Sequence, residues 1–123
     1  MSAWWLAALL SAGPLDAGVA RVGDASKGPA IYARCLACHD LQRDRTGPHH
    51  CGLNGRRAGT VPGFEYSEAM KRSGLTWSKE TLDRFLAAPM EAVPGTLMAW
   101  AGVPDAQERA DLIAWLLQQR CAQ

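Results

Sequence analysis

A chain of 123 residues is short for even a single domain, so one compact domain with a small core is expected. Its content of 48% hydrophobic and 20% charged residues describes a globular protein, neither disordered nor membrane-spanning. Thirteen basic against twelve acidic residues, with no Lys/Arg run, exclude a nucleic-acid binder that works by displacing counterions.

Residues 1–20, MSAWWLAALLSAGPLDAGVA, combine an apolar block, a Gly-Pro break and small residues, and read as a secretory signal cleaved after Ala20. The block is too short to span a bilayer. No Lys or Arg precedes it, which leaves room for a start codon upstream. Export would place residues 21–123 in an oxidising compartment, the periplasm, and the four cysteines would meet those conditions.

Beyond Arg21 the pattern is mostly helical. Asp24 is placed to cap a helix reaching about Cys35 with Ile31, Tyr32 and Cys35 on one face, although Pro29 implies a start near Gly28 or a distorted first turn. Leu41 to Gly63 is rich in Gly and Pro and reads as loop. Short helices are expected at Ser67–Arg72 and from Ser78 to about Ala87, the second with Ser78 and Thr81 at its cap. Pro104-Asp105 opens a last helix to about Arg120, with Leu112, Ile113, Trp115, Leu116 and Leu117 as its apolar stripe.

An all-helical chain this short, with so much loop, buries too little unless something large fills its middle. Cys35-Leu-Ala-Cys38-His39 supplies a candidate. In a covalent haem attachment, Cys35 and Cys38 would form thioethers to the vinyl groups and His39 would bind iron as the proximal ligand. A thiol redox pair would need a strand before it, and no parallel-strand pattern is found. A zinc site could draw on Cys51 with His49 or His50, and spacing alone leaves it open.

The segments GDASKG, RCLACH, TGP at Thr46–Pro48, GLNGRRAGTVPGFEYSEAM, SGLTW, VPGTLMAWAG and RADLIAWL together resemble the short class I cytochromes c of mitochondrial type and their bacterial periplasmic relatives. The resemblance runs from about Gly23 to Gln119. It implies an all-α class I cytochrome c fold wrapped around one covalent haem c. It places Met98 as the distal ligand, a soft neutral thioether that favours ferrous iron, and Pro48 as the carbonyl that accepts the His39 Nδ1 proton. It places Arg56, Tyr66 and Trp77 around a buried haem propionate, whose charge needs donors once withdrawn from water. Gly28 and Tyr32 would cross Leu112 and Trp115 on the last helix, and Trp100 would cover a haem edge.

Some positions depart from the family. Phe85 stands where mitochondrial relatives have a tyrosine and cannot donate to the methionine sulfur, so a drier, less restrained Met98 is expected. His50 stands where a leucine packs, either as a hydrogen-bonded core histidine or as a stand-in ligand. The lysines of the haem edge become Met90, Glu91 and Leu97, with Arg34 retained. Because the family packs this loop beside the last helix, a Cys51–Cys121 disulfide is expected, contributing about 3–5 kcal/mol in the chain-entropy model.

The resemblance thus implies a monomeric periplasmic one-electron carrier with no catalytic residue. Its redox donor and acceptor would dock at an exposed haem edge with weak electrostatic steering. Two alternatives are a dedicated electron-accepting subunit of a periplasmic dehydrogenase and a haem enzyme or gas sensor with an open iron site.

Overall fold

The computed structural model describes residues 21–123, so the signal reading of residues 1–20 lies outside the described residues. Asp24 caps a 3-10 turn at Ala25–Lys27, its carboxylate accepting from the Ser26 N–H at 3.0 Å. The expected continuous helix to Cys35 is instead broken into three pieces: that turn, helix α1 at Gly28–Tyr32, and a second 3-10 turn at Ala33–Cys35. Pro29 accounts for the first break. It has no N–H to give and is tolerated only in the first turn of a helix, so α1 begins just before it.

Helix α2, Glu68–Arg72, starts behind Ser67, whose hydroxyl accepts from the Met70 N–H at 3.0 Å. Helix α3, Lys79–Ala87, opens with a reciprocal capping box between Ser78 and Thr81. A short helix α4, Pro89–Ala92, is an element the sequence pattern does not announce. Helix α5 spans Ala106–Leu116 behind the Asp105 cap and stops short of the expected Arg120. Beyond Leu116 the N–H groups of Gln118 and Gln119 fold back to Trp115 and Leu116, and the Gln119 carbonyl accepts from Gly52 at 2.9 Å. The first two are i→i−3 turn bonds that tighten the helix end, and the third is a tertiary bond to a carbonyl just past it. Among the described residues there is no strand, only an isolated antiparallel bridge between Arg57 and Thr76.

Both α1 and α3 pack on α5. At the α1–α5 crossing, a Cβ on Gly28 would lie 2.2 Å from Trp115 Cβ, so glycine alone permits the approach. The rings of Tyr32 and Trp115 meet there at a 5.2 Å centroid separation. Asp111 ties the start of the chain to α5 by accepting from the Asp24 N–H at 2.7 Å. Leu112, Ile113 and Leu116 are buried against Leu82, Phe85 and Leu86 of α3 and Ile31 of α1. An isolated helix of 11 residues is marginal, so burial of this face, worth about 1.5–3 kcal/mol per large side chain, holds α5 in place.

Candidate functional site

The helices and the glycine-rich loop surround a cavity of about 550 Å³, inside the range of roughly 300–1,000 Å³ usual for ligand and cofactor sites. Leu82, Phe85 and Leu86 of α3 and Leu112 and Leu116 of α5 line it with apolar surface. Cys35, Cys38, His39, Pro48, Arg56, Tyr66, Trp77 and Met98 all reach the same cavity. Residues scattered from the first helix to the loop before the last are therefore gathered around one space.

The Cys35–His39 segment is curled by its own backbone. The N–H groups of Cys38 and His39 both donate to the Cys35 carbonyl, at 3.2 and 2.9 Å, which sets both cysteines and the histidine on one wall. Arg45 braces the turn through its guanidinium, which donates to the Leu36 carbonyl at 2.5 Å and the His39 carbonyl at 3.4 Å. The sequence reading missed Arg45, because nothing in its spacing separates it from Arg43.

His39 is buried, and its Nδ1 lies 2.8 Å from the Pro48 carbonyl. A carbonyl only accepts, so Nδ1 carries the proton and Nε2 keeps its lone pair. Burial lowers the His39 pKa, against the opposing effect of the Pro48 bond, and the ring is neutral and able to ligate. Gly47 presses on it: a Cβ there would stand 2.2 Å from His39 Cε1. His50 stacks on the same ring, centroids 4.0 Å apart and planes at 23°, and its Nδ1 is 3.0 Å from the Tyr32 hydroxyl. This is the geometry of a hydrogen-bonded internal histidine, and burial pushes its pKa well below the usual value.

Met98, also in the cavity lining, is partly buried, and its N–H donates to Thr96 Oγ1 at 3.2 Å. Trp100 also lines the space, and Leu97 at the rim is 78% exposed. Phe85 is buried beside Trp77, ring centroids 5.2 Å apart, and offers no donor toward the cavity. Trp77 is buried, whereas Tyr66 is partly exposed and accepts through its hydroxyl from the Val61 N–H at 3.1 Å. The Arg56 guanidinium donates to the His49 and Cys51 carbonyls at 2.9 and 2.7 Å, so it clamps the loop from within. Arg34 forms an ion pair with Glu108, which compensates the cation retained at the rim.

The competing chemistries fit poorly. Burial pushes the Cys35 thiol up to about 11, against a smaller opposing effect of Arg34, the reverse of what an activated redox thiolate needs. Cys51 is joined to Cys121, Cα atoms 4.7 Å apart, so it is not open to share zinc with Cys35 and Cys38. A haem suits the donor set: two sulfurs and a neutral imidazole on one wall, a thioether among the other cavity residues, and apolar surface around them.

The Cytochrome c family model matches residues 25–120. The chain belongs to the cytochrome c family. It is similar to cytochrome c2 of Rhodomicrobium vannielii, 44% identical over 100 residues that cover 79% of this chain and 80% of that one. Cytochrome c 2.1 of Caenorhabditis elegans is 48% identical over 97 residues, covering 76% and 87% of the two chains. The solved structure of cytochrome cH from Methylobacterium extorquens is similar with a TM-score of 0.74 at 41% identity, covering 76% of this chain and 97% of that one. The cytochrome has the class I helical fold, carries one covalently attached c-type haem and belongs among electron carriers that work with redox partners. No helix among the described residues is long and apolar enough to cross a membrane.

Proposed function

We propose that the cytochrome is a periplasmic, monomeric one-electron carrier whose haem is attached through Cys35 and Cys38 and ligated by His39 Nε2 and Met98 Sδ. The observation that carries this reading is the gathering of all four side chains around one cavity, with the His39 tautomer set by Pro48. When bound, the haem supplies a one-electron ferric/ferrous couple. His39 gives a neutral nitrogen, held by the Pro48 carbonyl, and Met98 gives a soft sulfur that favours the reduced state and raises the potential. Leu82, Phe85, Leu112 and Leu116 exclude water, which limits solvent reorganisation as charge changes. Arg56, Tyr66 and Trp77 would meet a propionate carboxylate, which burial makes costly without donors. The Cys51–Cys121 bridge and the apolar leader of residues 1–20 support export.

Optical spectra of the protein from a periplasmic fraction, oxidised and reduced, test the reading. Covalent haem and the weak long-wavelength sulfur-to-iron band of the ferric form are expected; absence of haem, with the attachment machinery present, would sink it. Met98→Ala should abolish that band, lower the potential and admit added ligands, whereas a variant with all three properties unchanged assigns the distal ligand elsewhere.

Partner docking should rest on apolar contact at the exposed Leu97 and Met90 more than on charge, given near-balanced charges and the Arg34–Glu108 pair. Stopped-flow electron transfer across a salt series is expected to show little change in association rate. A steep fall from low to physiological salt would contradict weak steering.

A further inference from the structure

His50 is a polar residue in the cavity wall that electron transfer itself does not require, and a leucine would fill its place with no need of a partner. Its ring nevertheless has specific contacts, including an edge contact with the Tyr32 ring at a 5.7 Å centroid separation. One face stacks on His39, with centroids 4.0 Å apart and planes at 23°. Its Nδ1 is 3.0 Å from the Tyr32 hydroxyl, and the tyrosine ring is itself packed on Trp115 at 5.2 Å across the α1–α5 crossing.

The contacts answer a mechanical need. The Pro48 carbonyl holds His39 at Nδ1, an atom off the Cβ–Cγ axis, so the bond resists turning of the ring, but one hydrogen bond is soft in angle and leaves a residual swing of the imidazole plane. Gly47 crowds the ring at Cε1, and a stacked ring at 4.0 Å restricts the remaining rotation because turning either plane loses contact with the other. His50 can do this only if its own plane is fixed, and the Tyr32 hydroxyl supplies that constraint.

We propose that His50, oriented by Tyr32, is a positioning residue that sets the plane of the proximal His39 imidazole and through it the orbital overlap with the haem iron. The inference rests on His39 as the proximal ligand. It connects the α1–α5 crossing to the cofactor through Trp115, Tyr32, His50 and His39 in turn, a path of direct contacts between side chains. A contact to the ring from outside the metal acts on the orientation and donor strength of a ligand that remains in place.

The test is proton NMR of the ferric holoprotein, since the order and spread of the four haem methyl resonances report the orientation of the axial imidazole plane. His50→Leu removes the stacked ring and is expected to reorder or compress the methyl shifts and to shift the reduction potential. His50→Phe keeps a ring without the hydrogen bond and should stay closer to the parent pattern. Tyr32→Phe keeps the packing on Trp115 but removes the hydroxyl, and should move the pattern in the same direction as His50→Leu by a smaller amount. An unchanged methyl pattern and potential in folded His50→Leu overturns the proposal. Should that variant not yield holoprotein, Tyr32→Phe decides alone, and an unchanged pattern overturns it equally. If the parent protein lacks the low-spin spectrum of histidine ligation, the ligand assignment fails; a normal parent spectrum with insensitive variants defeats only the positioning role.

Discussion

Residues 39–56 are tied into the fold by bonds that reach distant parts of the chain, whereas residues 94–101 make their hydrogen bonds only within the loop and to Val93. On the first side, Gly52 donates to Gln119, Gly55 to Trp77, and Cys51 is bridged to Cys121, while Cys51 to Leu41 and the Arg56 bonds to two carbonyls brace the segment from within. On the second, Thr96 bonds Val93, Ala99 bonds Leu97, Trp100 bonds Met98, and Met98 bonds the Thr96 hydroxyl. His39 thus sits on the side tied to remote segments, while the Met98 loop relies on local turns and, on the proposed ligation, on the bond its sulfur would make. Local opening starts where long-range ties are fewest, so loss or exchange of a ligand should begin on the methionine side.

Gly47→Ala attacks the stronger side where it has no slack. The new methyl would meet the His39 ring at 2.2 Å, while the Gly47 N–H is held by the Cys38 carbonyl at 2.8 Å, so neither partner has room to retreat. Haem absorbance per unit of purified protein should fall nearly to nothing; a normal yield and spectrum would show that the proximal side yields far more than its bonding implies.

Removing the bridge in a double Cys51→Ser, Cys121→Ser variant is expected to cost less. For a sequence separation of 70 the chain-entropy model gives about 4 kcal/mol as an upper figure, which the haem thioethers reduce because they already restrict the unfolded chain. A lower denaturant midpoint is expected with the sulfur-to-iron band intact at neutral pH. Loss of the band in the folded variant would mean that the two sides are coupled and the contrast between them is wrong.

Thr96→Ala should have the smallest effect on stability, about 0.5–1.5 kcal/mol for one hydrogen bond. Its effect on the distal loop should be larger in kinetics than in stability: imidazole binding to the ferric protein is expected to accelerate several-fold. An unchanged rate would locate the restraint on Met98 outside the loop's own bonds.

Several features could be read from the order of residues because their physics spans only a few positions. Ser78 and Asp105, and Ser67 which the pattern placed as the first residue of its helix, cap N–H groups three residues on, and the Cys35-to-His39 turn is closed by bonds no longer than one helical turn. Pro29 announced a disturbed first helix, although the way the helix breaks into two 3-10 turns around α1 became visible only in the fold. The set of cavity residues was legible through the resemblance as a joint pattern, not through periodicity.

Other features were settled by approaches between segments remote in sequence. The Gln119 carbonyl just past α5 meets the Gly52 N–H, and Arg56, placed by the resemblance beside a propionate, is bonded to the His49 and Cys51 carbonyls. Arg45 looked like any loop arginine until its turn folded beneath it. His50 could be read as a core residue or a ligand, and its pairing with Tyr32 depended on how α1 lies against the loop. Caps and turns are decided by the local backbone, which the sequence writes out directly; the partner of a buried donor is decided by which distant segment arrives beside it, and only tertiary packing determines that.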